Sequence, residues 1–176
     1  MTKRILALAS LAALLAFGGE AQAFTDSATG TATAKIGTAI TITQDGSGAN
    51  GGNLAFGHII PGTGGTVTIT PAGASSSTGT VVLTNQITKS AAKFKVTGDI
   101  GNTYTITLPV GSVNITNTTG SVGETMAVGT FTKTTTAGAL DASGQEVFNV
   151  GGTLTVASGQ VAGVYQGTFP ISVAYN

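Results

Sequence analysis

The sequence predicts an all-β protein, a β-sandwich of roughly nine or ten short strands. Three observations carry that expectation. Apolar and polar residues alternate with period two in stretch after stretch, the pattern of half-buried strands. Clusters of Gly, Ser, Asn and Pro interrupt these stretches at short, regular intervals, and 27 of the 176 residues are glycine. Thr, Val, Ile, Gly and Ala dominate while Leu, Glu, Lys and Arg are few, a mixture that favours pleated strands and turns over helices. A chain of this length buries enough core to fold without disulfides, and it has no cysteine.

The N-terminus reads separately. Lys3 and Arg4 precede an apolar run from Ile5 to Phe17, and Ala21-Gln22-Ala23 forms a small-x-small site. Residues 1–23 are thus expected to be a Sec signal peptide cleaved after Ala23, the apolar run being shorter than the ~20 residues of a membrane helix. No stable membrane insertion is expected after cleavage. The mature chain from Phe24 keeps five lysines, six acids and no arginine. Such a balance offers no basic stripe to neutralise phosphates, so nucleic acid is not an expected partner.

The first alternation runs through Ala32, Ala34, Ile36, Ile40 and Ile42, with Gly37 read as a bulge or kink inside a strand. Asp45 to Asn53, rich in Gly and Asn, predicts a turn-forming loop. Leu54 and Phe56 resume a strand, Pro61-Gly62 predicts a turn, Val67 and Ile69 begin another strand, and Pro71 ends it. Further strands are expected at 80–84, 93–97, 103–108, 113–117, 125–133 and 146–156, with Gly151-Gly152 as a bulge. A last one covers Gly163 to Tyr175. Thr-x-Thr pairs such as Thr66/Thr68/Thr70 and Thr153/Thr155 recur at irregular intervals, which excludes the constant spacing of a solenoid. Their expected place is the solvent face of half-buried strands.

In the last stretch Tyr165, Phe169, Ile171, Val173 and Tyr175 share one face. Tyr175 is the penultimate residue, and Gly163 is the fourteenth from the C-terminus, counting Asn176 as the first. This combination resembles the C-terminal motif of pilus subunits assembled by the chaperone–usher pathway. The resemblance is close over this strand and looser over the leader, the chain length, the all-β pattern and the Phe56-Gly57 step. It departs from the many members that carry a disulfide, which points to a divergent, cysteine-free branch.

That resemblance implies an immunoglobulin-like sandwich lacking its final strand, whose edge strand (Gly163, Tyr165, Phe169, Ile171, Val173, Tyr175) is read by a periplasmic chaperone. It also implies an outer-membrane usher and other copies of the chain or related subunits as partners. An exposed edge is a template for pairing, and in donor-strand complementation the missing strand comes from the next subunit's N-terminal extension. Residues 24–35 offer a candidate donor, with Phe24, Ala28, Gly30, Ala32 and Ala34 on one face. The same residues read equally as the first strand of their own domain, ahead of a sandwich over 36–176.

Catalysis has little to stand on. His58 is the single histidine, too few for a zinc site, and its expected role is a turn-edge residue with a hydrogen-bond partner. Asp45, Asp99, Glu124, Asp141 and Glu146 are scattered among Gly-rich loops with no paired spacing, and no nucleophile elbow or phosphate-binding loop occurs. No catalytic residue, metal or cofactor is assigned. The sequons Asn114-Ile115-Thr116 and Asn117-Thr118-Thr119 are ordinary in a Thr-rich chain. The expected function is a structural subunit of a bacterial surface fibre, a fimbrium. The alternative is a monomeric secreted or surface β-sandwich module that binds carbohydrate or serves adhesion.

Overall fold

The structure is a computed structural model that describes residues 25–176; the signal peptide assigned to 1–23 and Phe24 lie outside the described residues. The chain divides into two units, 1–35 and Ile36–Asn176. Within the first, Thr25–Lys35 form no strand. The alternation that predicted a strand through Ala32–Ile40 is therefore corrected: the first strand, β1, is Thr41–Gln44. The physical reason is visible at Thr38, whose N–H donates to the Asp99 carboxylate at 2.6 Å and whose carbonyl accepts from the Tyr175 hydroxyl at 2.9 Å. Side chains, not a neighbouring strand, satisfy this backbone. Gly37 consequently lies outside any strand, where a Cβ would collide with Asp99.

The Asp45–Asn53 loop forms as expected, with a short 3₁₀ turn at Ala49–Gly52. Leu54 and Phe56 flank only an isolated bridge, Ala55 to Ser90. β2 is Ile59–Ile60, Pro61 and Gly62 turn the chain, with Gly64 N–H donating back to the Pro61 carbonyl at 2.9 Å, and β3 is Gly65–Ile69. β4 (Ser75–Ser77) is a serine strand that alternation does not reveal. Then follow β5 (Val82–Leu83), β6 (Ala92–Thr97), β7 (Tyr104–Thr107), β8 (Val113–Asn117), β9 (Thr125–Lys133) and β10 (Gln145–Val156). The C-terminal stretch is two strands rather than one: β11 (Tyr165–Gln166) and β12 (Ser172–Tyr175).

All ladders between these strands are antiparallel. One large sheet runs β1-β6-β10-β9-β8-β11, with β3 and then β4 joined beside the C-terminal half of β10. β10 is the spine. Its first half pairs β6 (Val150 with Ala92) and its second half pairs β3 (Gly152 with Ile69). Gly151 stands at that fork, where a Cβ would overlap the Ile69 carbonyl and the Thr70-Pro71 backbone. On its other edge, β10 from Gly151 to Thr153 spans Thr132 to Gly129 of β9. The extra residue belongs to β9, and Thr130 there has φ 49, so the bulge expected at Gly151-Gly152 is real but its surplus lies on the partner.

Two small ribbons, β7–β12 and β2–β5, provide the second layer. The even-numbered apolar side chains of β10, Phe148, Val150, Leu154 and Val156, are all buried, and each such side chain contributes ~1.5–3 kcal/mol of hydrophobic stabilisation. Phe148 and Val150 join Ala92, Val96, Tyr104 and Leu140 under the β7–β12 ribbon. Leu154 and Val156 join Val67, Val81, Met126 and Val128 under β2–β5. Leu54 and Phe131 pack against both clusters. The fold is an all-β, sandwich-like arrangement, and the described residues contain no α-helix.

Candidate functional site

The C-terminal stretch keeps one face across both of its strands. Tyr165, Phe169, Ile171, Val173 and Tyr175 are each half-buried, whereas their even-numbered neighbours from Val164 to Asn176 are exposed. Tyr165 packs against the cluster under β2–β5, and the other four against the cluster under β7–β12. β11 pairs β8 in the large sheet (Tyr165 with Asn117) and β12 pairs β7 in the other layer (Tyr175 with Tyr104). The chain thus switches layers between Gln166 and Ser172, as strands do at sandwich corners. Gly167 permits the departure, because a Cβ there would press on the Ile115 backbone.

Each assigned residue of this stretch has a definite local role. Gly163 lies over Asn117, which is fully buried, and a Cβ at Gly163 would overlap the Asn117 amide. That amide accepts from Thr119 N–H at 2.9 Å and donates to the Ala162 carbonyl at 3.4 Å. The Tyr165 hydroxyl donates to the Val161 carbonyl at 2.7 Å and accepts from Gln160 Nε2 at 2.9 Å. Phe169 stacks on Phe131 (centroids 5.0 Å apart) and meets Phe94 edge-on at 6.1 Å, and Phe94 stacks on Phe148 at 5.6 Å. Four rings therefore form a continuous aromatic row, in geometries that add to simple burial. The Tyr175 hydroxyl accepts from Asp99 N–H at 2.6 Å while donating to Thr38.

β12 presents an edge. Asn176 N–H donates to the Thr103 carbonyl, and Tyr104 N–H turns the other way, to Gly138. In an antiparallel ladder the bonded pairs alternate, so Ala174 with Thr105 and Ser172 with Thr107 carry the bonds to β7. The N–H and C=O of Val173 and Tyr175 face the opposite edge, and among the described residues β12 pairs with β7 alone. Of the candidate donor residues, Phe24 lies outside the described residues, and Ala28, Gly30, Ala32 and Ala34 are exposed. So is Ile36, at 96%.

His58 and four of the five acids set aside in the sequence have structural partners. His58 Nδ1 lies 2.9 Å from Thr84 Oγ1, as its turn-edge position suggested. Asp45 pairs with Lys93 at 3.1 Å, and the Ser47 hydroxyl and N–H, with that lysine, hold its carboxyl down at about 2. Asp141 accepts Ser143 and Gln145 N–H at the turn before β10. Glu146 accepts the Tyr104 hydroxyl at 2.6 Å and Ala137 N–H at 2.7 Å, and burial together with Glu146 pushes the Tyr104 phenol well above its usual range. Among the described residues, no three His, Cys, Asp or Glu side chains gather as a metal site. No described helix is long and apolar enough to cross a membrane.

A feature that the sequence reading missed lies on the large sheet's outer face. A shallow cleft of about 520 Å³ opens there beside the β9 bulge, with Ser112, Thr130, Thr153 and Thr155 in its lining. Gly129, midway along the predicted strand 125–133, is the signal that could have pointed to it, since an isolated glycine in a strand often marks a bulge.

Residues 40–175 match the family model described as a domain of unknown function (DUF4402), and the chain belongs to that family. The matched stretch opens one residue before β1 and closes on Tyr175. No curated protein matches the chain, and no solved structure does.

Proposed function

We propose that this member of the family is an exported structural subunit of a bacterial surface fibre, built as an immunoglobulin-like sandwich and assembled by donor-strand complementation. It acts by pairing rather than by catalysis, and it reaches the cell surface through the Sec pathway, a periplasmic chaperone and an outer-membrane usher. The observation that carries the reading is the edge of β12. A strand with its side chains rooted in the core offers the outward backbone groups of Val173 and Tyr175 to a further strand, the arrangement on which strand addition works. The resemblance centred on Gly163 and Tyr175 falls on this same stretch. The strand to be donated is the next copy's Phe24–Ile36 segment, whose described residues take no strand of their own.

The test is made on that edge. Proline is tolerated where a strand's N–H faces outward, so Val173→Pro should keep the ladder to β7 while removing an outward donor. A synthetic peptide covering Phe24–Ile36 should raise the melting temperature of the mature wild-type protein, because a ligand bound only by the folded state stabilises it. It should leave Val173→Pro unmoved. A peptide without effect on the wild type, or with equal effect on both, would overturn the reading.

A further inference from the structure

The strands of the domain Ile36–Asn176 define two opposite ends. At one, the root end, β6 finishes at Thr97 opposite Gln145, where β10 begins, and β12 finishes at Tyr175, whose hydroxyl reaches Asp99 and Thr38. At the other, the far end, β10 finishes at Val156 opposite Gly65. There the loop 118–124 lies against residues 160–164: Thr118 N–H donates to the Val164 carbonyl at 2.8 Å, and Val164 N–H donates to Thr119 Oγ1 at 2.8 Å. Both ends expose apolar side chains. Ile36 and Ile100, the latter 67% exposed, flank the bond from Thr38 N–H to the Asp99 carboxylate at the root end. Val122, 78% exposed, stands with Val161 and Val164 on the two adjoining loops of the far end. Single exposed apolar residues are ordinary, but grouped ones mark association sites.

What covers these groups follows from the direction of β12 and from the place where the N-terminal segment leaves the domain. The stretch Gly163–Tyr175 runs from the far end to the root end. The segment before Ile36 departs at the root end, because Thr38 is held there by Asp99 and Tyr175. Residues 24–36 number thirteen, as do residues 163–175, so at ~3.3 Å per residue an extended donor reaches from one end of an acceptor to the other. Laid antiparallel to β12, the donor emerges at the acceptor's far end, and the donor copy's own root end follows directly. Laid parallel, it emerges at the acceptor's root end, where the acceptor's own segment also departs, and two copies then exchange segments and close as a two-fold dimer. Only the meeting of unlike ends gives an open, growing chain. Antiparallel pairing is also the slightly more stable of the two.

We infer that copies of this chain dock end to end, the far end of each, through Val122, Val161 and Val164, receiving the root end of the next, through Ile36 and Ile100. The inference rests on the strand-addition reading and adds to it the direction of the donated strand and a second contact between copies. That contact is made by side chains at the two ends, whereas the β12 edge is satisfied by backbone. A donated strand by itself tethers two domains; the apolar contact of unlike ends fixes how one is set on the other and repeats along the fibre.

The chain has no cysteine, so introduced thiols report contacts without background. Fibres are collected from cells exporting the chain with Ile100→Cys, with Val122→Cys or with both, and are treated with a short bis-maleimide. Only the double variant should cross-link, as a ladder of dimers, trimers and higher oligomers, because the two positions stand at opposite ends of one copy. Val122→Asp combined with Val164→Asp should lower the fibre yield about tenfold, since an unpaired charge buried in an apolar contact is costly. The rise in melting temperature given by the Phe24–Ile36 peptide should stay as in the wild type, because that peptide meets the β12 edge and not the far end. Dimers from Ile100→Cys alone would mean that root end meets root end and would overturn the inference. So would fibres of the double variant that do not cross-link, or a fibre yield untouched by the two aspartates. Those outcomes spare the strand-addition reading when the peptide still stabilises the wild type, whereas a peptide without effect, or a wild type that makes no fibres, overturns both.

Discussion

At Gly163 the absence of a side chain is a packing requirement, because the space a Cβ would fill is taken by the buried Asn117 amide. Gly163→Ala must push that amide aside and weaken its bond to Thr119 N–H. Over-packing of this kind costs ~1–3 kcal/mol, and urea denaturation should show a loss in that range. Thr130 presents the reverse case. Its left-handed backbone carries a strain of ~1–3 kcal/mol, and Thr130→Gly removes it against a glycine entropy cost of ~0.5–1 kcal/mol. We expect this variant to be about 1 kcal/mol more stable than the wild type in the same experiment. Tyr175 serves its own domain: Tyr175→Phe keeps the ring and leaves Asp99 N–H without its acceptor, at ~1–3 kcal/mol if water does not replace it.

Strands as elements were legible where one face is buried. β6 to β10 all fall within a residue or so of the alternating stretches that predict them, because period-two alternation is the imprint of a half-buried strand. The same logic explains the misses. β4 is three serines, all exposed, so it is held by backbone pairing to β3 and leaves no apolar imprint. Ala32, Ala34 and Ile36 alternate yet bury nothing, and alternation without burial does not make a strand. Across Gly163–Tyr175 the period survives a change of layer because both layers face one core, so periodicity could place the side chains without revealing that β11 and β12 have different partners. The bonds of Tyr175 to Thr38 and Asp99 join residues far apart in the chain, beyond the reach of any local pattern. Gly151 was legible as a strand glycine, but not as the fork where β3 meets β10. Adding a methyl there forces the Ile69–Pro71 backbone away, so in Gly151→Ala the β3 amides should exchange hydrogen far faster while those of β6 stay protected. Such local opening is how separate stability within one sheet is measured.

For the whole molecule, two ionisable groups tie stability to pH, one at each end of the scale. Asp45 has its carboxyl lowered from 3.8 to about 2 in the folded state by Ser47 and Lys93. A depressed carboxylate pKa stabilises the fold above the unfolded value, and that contribution is lost as pH falls through the folded one. Between pH 4 and 2 the wild type should therefore soften, and Asp45→Asn, which has nothing to protonate, should not show that step. Tyr104 works in the opposite sense. Its phenol is raised by burial and by Glu146, so the neutral form is favoured in the fold. Its contribution is complete below the unfolded value near 10 and is lost as pH rises beyond it. Melting temperatures followed across both windows check the pair: Asp45→Asn should flatten the acid limb alone, and Tyr104→Phe the alkaline limb alone. Because Asp45 binds Lys93 on β6 while Tyr104 binds Glu146 on β10, the two effects share no partner. In the double variant the two effects should add. An interaction between them would mean that the loop at Asp45 and the β7–β12 ribbon unfold as one unit.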